Sequence, residues 1–384
     1  MKRRFLILLS LVFLFFSLEI PVKAEEQQAE DLTEAVPPEY VDFLESIPQE
    51  ILEHLPSELF SSDCKDLESA TRRMSHFSYL LQITLAVLGA NLPTCLSILA
   101  SVCGLLLLSA VLRAFRDNLR SDGIGRAFSF CATLSILCLL IVKGLDCIRR
   151  VTSYFSTLNT VTASLLPLMG VLYAAGGNLT AAAASSTGLS VYMTLLEELV
   201  GKSILPFCAI CLTFALVNAL DPNLKTNSLL TTVKKNYTTL LTFLMMLLLA
   251  MLSAQTVLGA RSDSLIMRSA KFAAGNMIPV VGGSISELLR TVSAGVGYLR
   301  GVLGISAILL LLFLLLPVVV ELLLVRLTWQ ICASVAELLG CDGEKKLLDE
   351  FASLYGYLLA AVCICSSVLL LSITLLVRCA SAIG

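Results

Sequence analysis

Long unbroken apolar runs dominate this chain, in place of the alternation or the three-to-four spacing of soluble elements. Val302 to Val325 reads VLGISAILLLLFLLLPVVVELLLV, 24 residues whose one ionisable side chain is Glu321. At 1.5 Å per residue such a run reaches ~36 Å as a helix, enough to cross a hydrocarbon layer of about 30 Å with some tilt. Runs of this kind place six spans, at Leu92–Leu112, Ala127–Ile148, Ile204–Leu220, Tyr237–Leu258, Gly304–Val325 and Leu354–Val377. The pattern predicts an all-α, polytopic helical membrane protein with about six transmembrane helices in three hairpins.

The polar positions divide the chain. Lys2, Arg3 and Arg4 precede the apolar stretch Phe5–Leu18, and Val22-Lys23-Ala24 offers a small-x-small site before Glu25. Residues 1–24 therefore read as a cleavable secretory signal, its apolar part short for a span, with an uncleaved anchor as the alternative. Residues 25–77 are polar and acidic, with Pro37, Pro38, Pro48 and Pro56 between short amphipathic pieces such as Val41–Ile47. They predict a small extracytoplasmic region, helical or partly disordered. Residues 78–150 form the first membrane hairpin, 151–260 a second unit and 261–384 a third.

Orientation follows from the basic residues. With Glu25 outside, the first span enters and leads to Arg113, Arg116, Arg120 and Arg126. The second hairpin loop carries Lys225, Lys234 and Lys235, and the third Arg326, Lys345 and Lys346. Acids count little in the positive-inside rule, so all three loops are expected in the cytoplasm. Pro206 and Pro317 lie 111 residues apart, as do Lys234-Lys235 and Lys345-Lys346; Pro167-x-x-Gly170 and Pro279-x-x-Gly282 lie 112 apart. Such spacing suggests a parallel repeat, since two spans per unit preserve direction.

Between the hairpins, Leu158–Val191 and Ala270–Gly304 are rich in Gly, Ala and Ser, each with a proline at an apolar centre. Small residues allow close helix approach, and broken helices are tolerated at membrane depth where protein or water covers their backbone. The residues leave three readings open. These segments re-enter the membrane or line a pore, they lie as amphipathic helices on the outer surface, or Leu158–Ala175 is one further span.

Composition agrees with the runs. Hydrophobic residues make up 57%, charged residues 15%, and mean hydropathy is +0.87. The 13 cysteines fall mostly inside apolar runs and do not suggest a disulfide scaffold; Cys208 and Cys211 form a C-x-x-C with no second pair or nearby His. No strongly basic segment suggests nucleic acid. No Walker A, H-E-x-x-H or G-x-S-x-G motif occurs, so an enzyme is not expected, and no cofactor or metal site is expected.

Charges at membrane depth are the functional candidates, because each is expensive there. Glu321 stands one turn after Pro317, with Arg326 five residues on as a neutralising neighbour, and Lys143 with Asp146 forms an i,i+3 pair late in the second span. Either these are paired or snorkelling charges near an interface, or they face a pore or partner.

The stretch from Arg268 to Gly282, RSAKFAAGNMIPVVG, completes a wider pattern of signal, acidic stub, paired spans and a last apolar span. In this the chain resembles the stage III sporulation protein AE family of endospore-forming bacteria. The likeness is most specific at Lys271, Phe272, Asn276, Pro279 and Gly282. The resemblance implies a multi-pass protein of the mother-cell membrane that surrounds the forespore. It implies a non-enzymatic part of a secretion-like channel complex, working with a secretion-type ATPase, ring-forming subunits of the same operon and stage II sporulation protein Q of the forespore. It supplies no catalytic residues. The competing reading is a secondary transporter for a small solute, motivated by the repeat and by Glu321.

Overall fold

A computed structural model describes residues 38–45, 47, 64–118, 122–175, 188, 190–220, 228–244, 246–247, 250 and 282–381. These are almost entirely helical. In chain order they form α1 (Pro38–Glu45), α2 (Cys64–Ser75), α3 (Phe77–Asn118), α4 (Asp122–Ala175), a π-helical turn at Glu197–Gly201, α5 (Ile204–Leu220), α6 (228–244), α7 (Gly282–Leu338) and α8 (Asp342–Ser381). Among the described residues four stretches are long and apolar enough to cross a membrane: Ser78–Leu112, Ser190–Asn218, Val302–Leu338 and Asp342–Ser367. The run expected at Ala127–Ile148 lies inside α4, and that at Tyr237–Leu258 continues past the described residues.

The described parts of the segments between hairpins are continuous with the neighbouring long helices. Residues 158–175 continue α4 without a break, so this helix of 54 residues is about 80 Å long. Residues 282–304 likewise run unbroken into the following apolar stretch, giving α7 a length of 57 residues, or about 85 Å. Pro167 and Pro317 sit inside these helices rather than ending them. Away from water a freed carbonyl gains nothing by unwinding its neighbours, so a proline that would stop a soluble helix is accommodated.

Side-chain contacts fix the helix directions. The Tyr79 ring meets Phe313 edge-on at 6.1 Å, and further along Ser109 donates to Glu344 just beyond the end of α7, so α3 and α7 run the same way. Gly144 of α4 lies against Phe351, and Tyr154 and Ser366 share a hydrogen bond of 2.6 Å, so α4 runs with α8. Phe207 of α5 packs edge-on against Tyr357 while Tyr192 lies near Cys365, which sets α5 against α8. Lys234 of α6 reaches Glu350 and Ser353, and α6 is tied to α5 by the stacked rings of Tyr237 and Phe207, 3.9 Å apart. Successive long helices thus alternate in direction.

The α7–α8 pair is the centre of the bundle. A Schellman turn joins its arms: Cys341 N–H donates to Ala336 C=O and Gly340 N–H to Glu337 C=O, with Gly340 at φ 68°. Only a residue without a Cβ adopts that left-handed conformation cheaply. Above the turn, Trp329 packs against Phe351 and Tyr355, all three buried. Leu309 to Leu315 are likewise buried.

The acidic N-terminal region contributes to the same core. Tyr40, Phe43, Leu44 and Ile47 follow helical spacing and are all buried, with α1 packed on α4. Tyr40 and Ser306 share a hydrogen bond of 2.6 Å. Burial pushes the Tyr40 phenol well above its usual range, against a smaller downward pull from Ser306, so it stays neutral well into alkaline conditions. In α2, Leu67, Ala70 and Met74 are buried on one face while Arg72 and Arg73 stay exposed, and the helix packs on α7.

The glycines of two helices separate tight packing from open surface. A Cβ at Gly356 of α8 would come 3.2 Å from the guanidinium carbon of Arg326, whereas a Cβ at Gly89 of α3 would meet nothing within 4 Å. Gly356→Leu is expected to destabilise the detergent-solubilised protein by about 1–3 kcal/mol, the usual cost of overpacking. Gly89→Ala is expected to leave it unchanged or stabilise it by about 0.5–1 kcal/mol through helix propensity. Thermal unfolding followed by fluorescence of the single tryptophan, the buried Trp329, checks both.

Candidate functional site

Polar side chains inside the bundle converge on the α7–α8 pair. Glu321 stands one residue past the middle of the Val302–Leu338 stretch, one turn past Pro317. Arg150 of α4 holds it: Arg150 Nε donates to Glu321 Oε1 at 2.8 Å, and a second guanidinium N–H donates to the same oxygen. The pair is asymmetric, with the Arg150 side chain 57% exposed and that of Glu321 14%. The acid is therefore the member taken into the bundle, and the arginine reaches it from the surface along its aliphatic stem.

Two more carboxylates of α8 are bound from other helices. Glu350 is paired with Lys234 of α6, whose ammonium also donates to Ser353 Oγ at 3.1 Å. Both members are mostly buried, at 11% exposed for the Lys234 side chain and 22% for Glu350. Glu344, fully buried in the first turn of α8, accepts a 2.8 Å hydrogen bond from Ser109 Oγ of α3. At the turn itself Lys345 pairs with Glu337 at 2.7 Å. Each buried charge is thereby bonded by a group on a different helix, which lowers the penalty of removing it from water.

The sequence-predicted residues are distributed unevenly around this site. Glu321 is in it, and its bonded partner Arg150 belongs to a segment expected to face outward. Arg326 lies with its guanidinium against Gly356. Asp146 is exposed one turn before Arg150, and Lys143 lies one turn before that in α4. Lys271, Phe272, Asn276 and Pro279 fall outside the described residues, and Gly282 is the first residue of α7. Lys234, Glu350, Ser109 and Glu344 were not singled out as site residues. Their partners stand 116 and 235 positions apart, and no local spacing announces such pairings.

Among the described residues no group of three or more His, Cys, Asp or Glu could hold a metal ion. The arrangement binds helices to one another, and no nucleophile, base and orienting group come together in it.

A family model described as stage III sporulation protein AE matches residues 63–380. Stage III sporulation protein AE of Bacillus subtilis (strain 168) is 23% identical over 302 residues, covering 78% of this chain and 73% of that protein. No solved structure matches.

The asymmetry of the central pair has a measurable consequence. Arg150→Ala strands a largely buried carboxylate, whereas Glu321→Gln leaves an arginine free to turn toward solvent or headgroups. The first is expected to destabilise more than the second, and Arg150→Ala combined with Glu321→Gln less than the sum of the two. For the better-buried pair, Glu350→Gln is expected to cost about 1.5–3 kcal/mol, the range for a hydrogen bond to a charged group. A double-mutant cycle with Lys234→Met, read by the Trp329 unfolding transition, measures the coupling.

Proposed function

The chain belongs to the stage III sporulation protein AE family, and from that membership we propose that it is a non-enzymatic, multi-pass component of a secretion-like channel complex between mother cell and forespore. The observation that carries the proposal is the extent of the match: residues 63–380 take in all four apolar stretches, so family and membrane architecture describe the same part of the chain. In this reading the protein sits in the mother-cell membrane around the forespore, after removal of the signal at residues 1–24. It has about six spans in three hairpins, with the α3–α4 and α7–α8 connections in the cytoplasm. The alternation of helix directions supports this topology.

The cytoplasmic turns would meet a secretion-type ATPase, and the docked N-terminal helices with the outer ends of α4 and α7 would meet ring-forming subunits. The absence of any nucleotide-binding motif in the sequence is the reason to place the motor on another chain. The transporter reading draws less support. It needs an intramembrane acid free to exchange a proton or ion, and Glu321 is engaged by Arg150 through two N–H donors.

Deleting the gene in the producing organism is expected to stop development after engulfment and to reduce heat-resistant spores by several orders of magnitude, with recovery on complementation. A null strain with a normal spore yield sinks the proposal. Solute uptake by the purified protein alone in liposomes would favour the transporter.

A further inference from the structure

Two peripheral helices show the membrane opposite kinds of surface. On α3, Leu85, Leu88, Leu92 and Leu96 are exposed, as expected of a face in contact with lipid. On α4 the residues turned away from the bundle are Asp146, Arg149, Arg150, Ser153, Ser156 and Thr160, all exposed. Their spacing of three and four keeps them on one side of the helix, opposite the buried Cys147, Val151, Tyr154, Phe155 and Leu158. The stripe is about 21 Å long at 1.5 Å per residue.

Its depth is fixed by two bonds. Arg150 is joined to Glu321, one residue past the middle of Val302–Leu338, and Tyr154 to Ser366, near the end of Asp342–Ser367. The stripe therefore runs beside the apolar stretch of α7 and not past its ends. Lipid against that face would leave three charged and three hydroxylated side chains in hydrocarbon, an arrangement membrane helices avoid unless the face turns to water or protein. Ser and Thr also occur where helices pack closely, but Arg149 and Asp146 beside them carry charge that a dry interface does not solvate.

We propose that this face of α4 lines a water-filled passage at membrane depth, with Arg150 held in place on its wall by Glu321. The assignment rests on the reading of the chain as a channel component for what the passage serves, but its geometry is that of α4, α7 and α8 alone. Glu321 acts here as a positioning residue: it fixes a positive charge at the passage wall.

Cysteine accessibility in the full-length chain, in its own membrane, tests this. Ser153→Cys and Ser156→Cys probe the stripe. Leu81→Cys and Leu85→Cys, both exposed, probe the lipid face of α3 at the same level, since α3 runs along α7 from Tyr79–Phe313 to Cys95–Thr328 and α4 runs against it from Arg150–Glu321. With a charged, membrane-impermeant methanethiosulfonate, the two serine positions are expected to react at least tenfold faster than the two leucine positions. The leucine positions are expected to react only with a lipid-soluble maleimide. Reading modification by peptide mass spectrometry in the otherwise native chain avoids removing native cysteines. Equal protection of all four positions would overturn the proposal, because the stripe would then face lipid or a covering protein. Equal reactivity at all four would overturn it too, because that level would then lie outside the bilayer. A spore-positive null strain would remove the channel reading while leaving the labelling comparison to stand or fall by itself.

Discussion

A carboxylate carried into an apolar bundle must be met by a donor, and the α7–α8 pair carries three that are met from elsewhere. Glu321 is bonded by Arg150 of α4, Glu344 by Ser109 of α3 and Glu350 by Lys234 of α6. In lipid, apolar side chains gain little by leaving one neighbour for another, because hydrocarbon and leucine are similar solvents; shape and polar bonds then decide which helices associate and in what register. The three acids are placed so that each engages a different helix. An error of one turn in any of these contacts would leave a buried charge without its partner, a larger penalty than misplacing a leucine.

The same constraint explains what could be read from the sequence. Apolar runs announce membrane helices because hydropathy is summed along the chain, and the stretch around Leu309–Leu315 was unmistakable. Directions followed from Arg and Lys near the turns. Helix ends were less legible. Leu158–Ala175 contains Pro167 and Gly170, and Gly282–Gly304 is rich in the glycines and serines that interrupt helices in water, yet they continue α4 and α7, because in lipid a backbone has no better partner than itself. The pairings were not legible at all. Arg150 and Glu321 are 171 positions apart, and either could have found another opposite charge in a different packing. The family stretch around Lys271 and Asn276 lies outside the described residues, so its part in the site is still carried by the resemblance alone.

The N-terminal region shows how a correct local pattern can understate its consequence. The spacing of Tyr40, Phe43, Leu44 and Ile47 marks one apolar face, which a sequence can supply, but not where that face is spent. It is buried against α4, and Tyr40 bonds Ser306 at the point where α7 begins its apolar run. The described helices of a region expected to be helical or partly disordered are thus part of the core, and α2 repeats the arrangement on α7. The Tyr40–Ser306 hydrogen bond joins two hydroxyls that are neutral at physiological pH, so it does not itself loosen with modest acidification.

The 111-residue spacing between the second and third units invites the idea of two equivalent halves, and the contacts argue for common direction with divergent chemistry. Pro206 is the third residue of α5, in the first turn, where a missing N–H removes no helical hydrogen bond; Pro317 sits deep inside α7, where one is lost. Lys234 crosses to Glu350 of the other unit, while its counterpart Lys345 is spent within its own turn on Glu337. Equal spacing therefore delivers one lysine to a buried inter-helix pair and the other to a surface turn. If a duplication lies behind the pattern, only the helix–turn–helix frame has kept its role, and the charges have been reassigned to join the two copies rather than to serve each alike. The contacts between the two copies, Lys234–Glu350 among them, thus have no equivalent on the other side, and the repeat by itself gives the transporter reading no second, symmetry-related set of contacts to switch to.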